Sequence, residues 1–288
     1  MKSVRNIFST VIAMMLLAMP AEQAPAQDSA SLDVLSMIRR NCAPNGFEGC
    51  PELYVVYHPD VLTGSNPETT FACSHGFPWP DDSRIPMIFF GSGVRKGARP
   101  AGSPSLEDIT PTIAHVLGQS PPETIDGRVL SEVLLPRCRN HGVRRTRAAM
   151  VLTLDQCRAD YFTNPRIRPA LAFARKVLMR RGTSYGDARL SYSGSRTAVS
   201  HATIGTGATP GVHGIVGNNI RVDGLFPLAL NDNPRHSMEM FNLLTPTLAD
   251  VMDLALDNRS VIISMSPYGR AALGMGGHGA AFAGGSDR

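Results

Sequence analysis

The sequence has no apolar run long enough to span a bilayer. Its longest, residues 7–19, covers about 13 positions against the ~20 a transmembrane helix needs. Aromatic residues make up 6% of the 288 residues, with Trp79 the one tryptophan. None interleaves with the basic cluster at 137–147 (R-C-R-N-H-G-V-R-R-T-R), which excludes a dedicated nucleic-acid surface and leaves a solvated linker. There is no C-x-x-C spacing, so the cysteines do not read as a zinc ribbon. Gly91-Ser92-Gly93 lacks the third glycine of a dinucleotide loop and is a strand-ending turn. No internal repeat or low-complexity tract is present.

What is there is ordinary for a globular protein. Hydrophobic residues are 43%, charged residues 18%, and the net charge is +4. The length suits one large or two modest domains. Lys2 and Arg5, the apolar run at 7–19 and Ala24-Pro25-Ala26 read as a secretory signal over 1–26, with an uncleaved anchor as the alternative. The mature chain is then expected to begin near Gln27, to be periplasmic or secreted, and to have no membrane association after cleavage. Of five cysteines, Cys42 and Cys50 flank Pro44, Asn45 and Gly46, which suits a small bridged loop. The odd count leaves at least one thiol unpaired within the chain.

Strand candidates are the apolar runs 53–57, 86–90, 150–154 and 260–264, with a further apparent strand at 188–192. Helices are expected over 110–117, with Pro111 at the first turn and Gly118 as the stop, over 169–181 and over 246–256. Strands alternating with helices predict an α/β fold with a mostly parallel central sheet flanked by helices, either whole or incomplete. Ligands of such sheets sit beyond the carboxyl ends of the strands, where Asp155 and the loop around Ser266 fall.

Residues 197–219 (T-A-V-S-H-A-T-I-G-T-G-A-T-P-G-V-H-G-I-V-G-N-N) concentrate hydroxyls, glycines, two histidines and an asparagine pair. This is either an active-site loop or a Gly/Thr-rich surface loop. Asp155 at a strand end and Thr197 before a helix could share a divalent cation, which would lower the hydroxyl pKa and make Thr197 a nucleophile. The helix N-terminus would favour a phosphate, and Asn218 could hydrogen-bond a non-bridging oxygen. Gly182-Thr-Ser-Tyr-Gly186 fits G-x-S-x-G, but the basic helical pattern before it and the apparent strand after it are the wrong flanks for a serine-hydrolase elbow. Trp79, close to His75, suits either a substrate wall or core packing.

Residues 150–219 resemble the N-terminal part of the alkaline phosphatase superfamily, in its type I phosphodiesterase/nucleotide pyrophosphatase branch with threonine-nucleophile alkaline phosphatases. The family's D-x-x-R-x-D-Y stands here as D-Q-C-R-A-D-Y from Asp155 to Tyr161. Its T-x-P-x-H-A-x-x-x-T-G-x-x-P-x-x-H-G-I-x-G-N runs from Thr197 to Asn218, with Val199 in place of the usual proline. The resemblance implies that Asp155 is a zinc ligand, Thr197 the nucleophile and second-zinc contact, and Asn218 a phosphate-oxygen donor. In the family's S-x-K-x-R-x-A, Arg270 keeps the phosphate-binding guanidinium, which alone could equally be a surface salt bridge, and Tyr268 replaces the lysine. That replacement favours a diester or another less charged substrate over a monoester. Residues 52–130 resemble the family's C-terminal end, which makes His75 of S-H-G-F-P the last zinc ligand.

Two departures stand out. The family's C-terminal piece (27–136) precedes its N-terminal piece (150–288), with the basic linker 137–149 between them. This reads as a circular permutation, or as the end of one unit followed by the start of another. Two zinc sites need both a D-x-x-x-H and a D-H pair; no D-H pair occurs, so Asp155, Thr197 and His75 are the remaining metal contacts. His278 matches neither pair. The expectation is an exported two-zinc phosphoric ester hydrolase that acts on a small-molecule phosphate ester through a phospho-threonine. The alternative is an inactive, truncated or degenerate relative that binds phosphate or metal, or needs a partner chain. A partial sheet with an exposed edge also predicts self-association.

Overall fold

The computed structural model describes residues 33–42, 50, 51, 53–58, 75–139, 146–221, 224–230, 240 and 242–279. The signal-like segment 1–26 and Cys73 lie outside them. The first helix, α1 (Val34–Arg39), is opened by Asp33, whose carboxylate accepts from the Ser36 N–H at 2.9 Å. Just after it, Cys42 is disulfide-bonded to Cys50, with Cα atoms 5.6 Å apart, as the bridged-loop expectation required. Cys138 and Cys157 are unbridged. Asn41 is fully buried and donates to Ser193 Oγ at 2.8 Å and to the Tyr54 hydroxyl, which ties this segment to the residues before Thr197.

A short helix, α2 (Pro80–Ser83), starts on proline and leads directly into β1 (Arg84–Phe89). Strand β1 pairs antiparallel with β2 (Thr183–Arg189), setting Met87 against Tyr185 and Phe89 against Thr183. The ladder shifts register between Ile85 and Met87, at Pro86, which has no N–H to contribute. The predicted strand at 86–90 is therefore present. The one predicted at 188–192 begins earlier, so the G-x-S-x-G serine, Ser184, lies fully buried within β2 and not on an elbow. Among the described residues the sheet has these two strands only, and the parallel central sheet expected from the sequence is not found. The runs 53–57, 150–154 and 260–264 belong to neither helix nor ladder. A strand is defined by hydrogen bonds to a neighbour, and among the described residues none is bonded alongside them.

Helix α3 (Ile109–Leu117) follows a single turn, Leu106–Asp108, closed by a reciprocal Ser105–Asp108 capping box, and it ends at Gly118 as expected. The stretch predicted helical at 169–181 centres on a π-helical segment, Ala174–Met179. Helix α4 (Thr197–Thr206) is buried on nearly every side because its residues are small, and the short α5 (Pro210–His213) follows it. Thr110 Oγ1 donates to the Ile204 carbonyl at 2.5 Å, joining α3 to α4. Asp126 accepts from the N–H and hydroxyl of Thr209 at 2.7 and 2.6 Å. Helix α6 (Leu248–Ala255) starts two residues later than the proline suggested, because Thr247 and Asp250 form its capping box. Helix α7 (Gly269–Gly276) crosses α4 so closely that a Cβ on Gly205 would lie 2.1 Å from the Gly274 carbonyl oxygen.

Two apolar cores result. One gathers Tyr192, Ala198, Val199, Ala202, Ile215 and Leu230, with Ile85 and Leu106 packed on it. The other gathers Met87, Leu130, Val133, Leu134, Tyr185 and Ala188. Each draws on residues from both sides of the basic linker, so residues 32–288 form one compact unit. Val199 is completely buried in the first core, where the family's usual proline is replaced by a branched side chain.

Candidate active site

Thr197 is the first residue of α4, so its hydroxyl stands at the positive end of the helix dipole. Asp155 lies in the turn after 150–154. Thr197 Oγ1 donates to Asp155 Oδ2 at 3.2 Å. The other carboxylate oxygen, Oδ1, is 3.5 Å from His75 Nε2. His75 Nδ1 meets the carbonyl of Ser195. A carbonyl only accepts, so Nδ1 is the donor there and Nε2 is the nitrogen that faces Asp155. An imidazole nitrogen and a carboxylate oxygen face one another across a short gap, with a hydroxyl oxygen beside them. That donor chemistry fits one divalent cation. It does not fill two sites: among the described residues no group of three or more His, Cys, Asp or Glu side chains could hold a metal.

Asn218 completes the cluster. Its Oδ1 accepts from the Ala198 N–H at 3.0 Å, one residue into α4. With the oxygen engaged, the amide has its Nδ2 hydrogens left to donate, the polarity an anionic oxygen needs. His201 Nδ1 donates to the Thr197 carbonyl at 2.8 Å, and burial holds His201 below its ordinary pKa of 6.5, so this support of the helix start is neutral.

The second half of the D-x-x-R-x-D-Y segment positions the first. Arg158 grips Asp160 with two hydrogen bonds of 2.9 and 3.0 Å and reaches Asp81 at 2.9 Å. Asp81 belongs to α2, which follows the His75 loop, so one guanidinium ties the Asp155 turn to the His75 segment. Asp82 steadies that segment by accepting from the Phe77 N–H at 2.9 Å. Gln156, the residue after Asp155, has φ of 58°, a left-handed conformation that costs a non-glycine residue roughly 1 kcal/mol and is typical of functional turns.

Of the residues expected from the sequence, the structure brings His75, Asp155, Thr197 and Asn218 together. Arg270 and Tyr268 pair with each other at the start of α7, the guanidinium 4.8 Å from the ring centroid. His278 is held by Asp250 at 2.9 Å, and this bond raises its pKa. Beside the cluster opens a cavity of about 560 Å³, within the usual range for small-molecule sites. Tyr57 and Phe77 form one wall, edge to face with centroids 6.0 Å apart, and Asn218 and Arg196 line it as well. Trp79 stands behind this wall and donates from Nε1 to the Tyr57 carbonyl at 2.7 Å. Arg196, Tyr57 and Phe77 were not singled out from the sequence. Only the position of Arg196 next to Thr197 could have drawn attention to it.

Residues 149–242 match the family model of the type I phosphodiesterase / nucleotide pyrophosphatase. The chain is similar to alkaline phosphatase PhoV of Synechococcus elongatus, 29% identical over 148 residues that cover 47% of this chain and 26% of that protein. It is also similar to alkaline phosphatase PafA of Elizabethkingia meningoseptica, 24% identical over 171 residues that cover 55% of this chain and 31% of that protein. The chain thus spans less than a third of the length of these curated relatives. No solved structure matches it significantly. The motif around Asp155 and Thr197, the family model over residues 149–242 and the two curated relatives agree in likening this part of the chain to the alkaline phosphatase superfamily.

Proposed function

We propose that this chain carries the nucleophile half of a metal-dependent phosphoric ester hydrolase, with Thr197 as the attacking group. The observation that carries this reading is the Thr197–Asp155–His75 arrangement at the N-terminus of α4. Asp155, His75 and the Thr197 oxygen would hold zinc, which supplies charge that favours the alkoxide of Thr197 over its hydroxyl. Asn218 Nδ2 donates to a non-bridging oxygen, and the helix dipole favours the anion there. Thr197 Oγ bonds to phosphorus as the bond to the leaving oxygen breaks, and the leaving oxygen takes up a proton. Water then attacks the phospho-threonine, which restores the hydroxyl and releases the phosphate or, from a diester, the monoester. Tyr268 in the position of the family's lysine supports a diester or similarly low-charge substrate. The leader-like residues 1–26 support export.

The test is to trap the intermediate. A quenched reaction of the zinc-loaded protein with a bis-aryl phosphate diester should leave one monoaryl phosphoryl group on the peptide containing Thr197, with one phenol released. Thr197→Ala should remove both the label and activity, by roughly 10³-fold or more. Turnover persisting in that variant would overturn the reading. The donor set itself favours a second reading, in which the chain binds one metal and needs a partner chain to complete catalysis. Turnover by the isolated zinc-loaded chain separates the two: the first reading expects it, and the second expects zinc binding without turnover until a partner chain is added.

A further inference from the structure

Arg196 caps α4 directly before Thr197, and its backbone N–H is engaged by the Gly194 carbonyl. Its side chain is exposed and lines the cavity beside Asn218. No carboxylate among the described residues pairs with it, whereas Arg158, Arg128 and Arg189 are each matched to an acid at 2.8–2.9 Å. The guanidinium lies along Gly76, the neighbour of His75. A Cβ there would sit 2.6 Å from Arg196 Nε and 2.8 Å from Cζ, so the side chain keeps this position only because residue 76 has none. Gly76 has φ of 124°, which a side chain would rarely permit in any case. Four features therefore converge at one cavity: an unmatched guanidinium, an amide with donors to spare, a groove cut by a glycine, and the aromatic wall of Tyr57 and Phe77.

We propose that Arg196 is a substrate-binding residue, whose guanidinium takes an anionic oxygen of an organic phosphate or phosphonate while the ligand's carbon group lies along Tyr57 and Phe77. A planar fork on a rigid helix cap suits two parallel hydrogen bonds to such a group. An apolar or aryl substituent would desolvate the Tyr57–Phe77 wall. The identification of the ligand class rests on the hydrolase reading above, but binding can be measured without turnover.

The single tryptophan, Trp79, hydrogen-bonds to the cavity wall and serves as the reporter. Phenylphosphonate, which cannot be turned over, is titrated against the zinc-loaded protein, its Arg196→Gln and Arg196→Lys variants and Thr197→Ala. The expected result is a dissociation constant raised at least about tenfold by Arg196→Gln, the loss of one charged hydrogen-bonded contact, and raised less by Arg196→Lys. Inorganic phosphate should bind more weakly than phenylphosphonate to the wild type and lose affinity in Arg196→Gln as well. Wild-type affinity for phenylphosphonate in both Arg196 variants would overturn the proposal, whatever the phospho-threonine experiment shows. Weakened binding together with no trapped intermediate would uphold the anion site and defeat the hydrolase reading alone. Absence of phenylphosphonate binding to the wild type would overturn both.

Discussion

Asn218 owes its polarity to one backbone group. Because the Ala198 N–H holds its oxygen, the amide cannot flip without leaving a helix N–H unpaired, and its Nδ2 donors point away from the helix start. Asn218→Ala should therefore lower kcat on an aryl phosphate by about 10²–10³ while changing KM little, as steady-state kinetics would show. His213 illustrates a buried imidazole with the opposite task. It is fully buried, its Nδ1 accepts from the Ile215 N–H at 3.1 Å, and its Nε2 donates to Thr203 Oγ1 at 3.0 Å. Burial pushes its pKa down from 6.5 to about 3. Between those values the unfolded chain binds a proton that the folded one refuses. The stability His213 contributes is whole above pH 6.5 and drains away as pH falls, with a slope approaching about 1.4 kcal/mol per pH unit. Urea melts at pH 7 and pH 4 should show a smaller acid loss in His213→Asn than in the wild type. Equal losses would mean that this ring is not the group responsible.

Helix α4 connects the site to the rest of the molecule. Its first residue is the nucleophile candidate, and its last turn touches α7 without room for a methyl group. The Gly205–Gly274 contact thus sets how deeply α4 sits. Gly205→Ala would drive a methyl into backbone and should destabilise the protein by about 2 kcal/mol, read as a lowered urea midpoint at unchanged m-value. The stop of α3 at Gly118 was legible in the chain because its cause is local, whereas α2, which Pro80 starts, lies in a stretch where no helix had been expected. The two-residue error at α6 came from reading Pro246 as the start, when the capping box of Thr247 and Asp250 decides it. The early start of β2 has a different origin. Thr183 and Ser184 look like a turn in sequence, and they become strand only because Phe89 and Ile88 lie across from them.

At the scale of the whole molecule, two of the apolar runs expected to form a parallel sheet, 150–154 and 260–264, are strongly exposed. Met150 is 87% exposed, Leu152 72%, Val261 85% and Ile263 74%. Thr153 and Ser264 both reach residues of α7, so the two runs flank one helix. Apolar chain without ladder partners is a template for pairing with another chain. The purified protein should therefore self-associate in light scattering, and a Leu152→Lys, Ile263→Lys double variant should return it towards monomer. A monodisperse wild-type monomer at tens of micromolar would count against this. What the sequence determined by itself was local and covalent in origin. Thr197 and Asn218 lie in one short continuous stretch, so their nearness was legible from the chain alone, as were the stop at Gly118 and the Cys42–Cys50 loop. The tertiary structure decided everything that depends on distant segments meeting. It set His75 and Asp155, 80 positions apart, across one gap, laid Arg196 in the groove that Gly76 leaves, and left the apolar runs unpaired. Such contacts depend on which surfaces the two cores bring together, and neither hydrophobic period nor motif spacing encodes that.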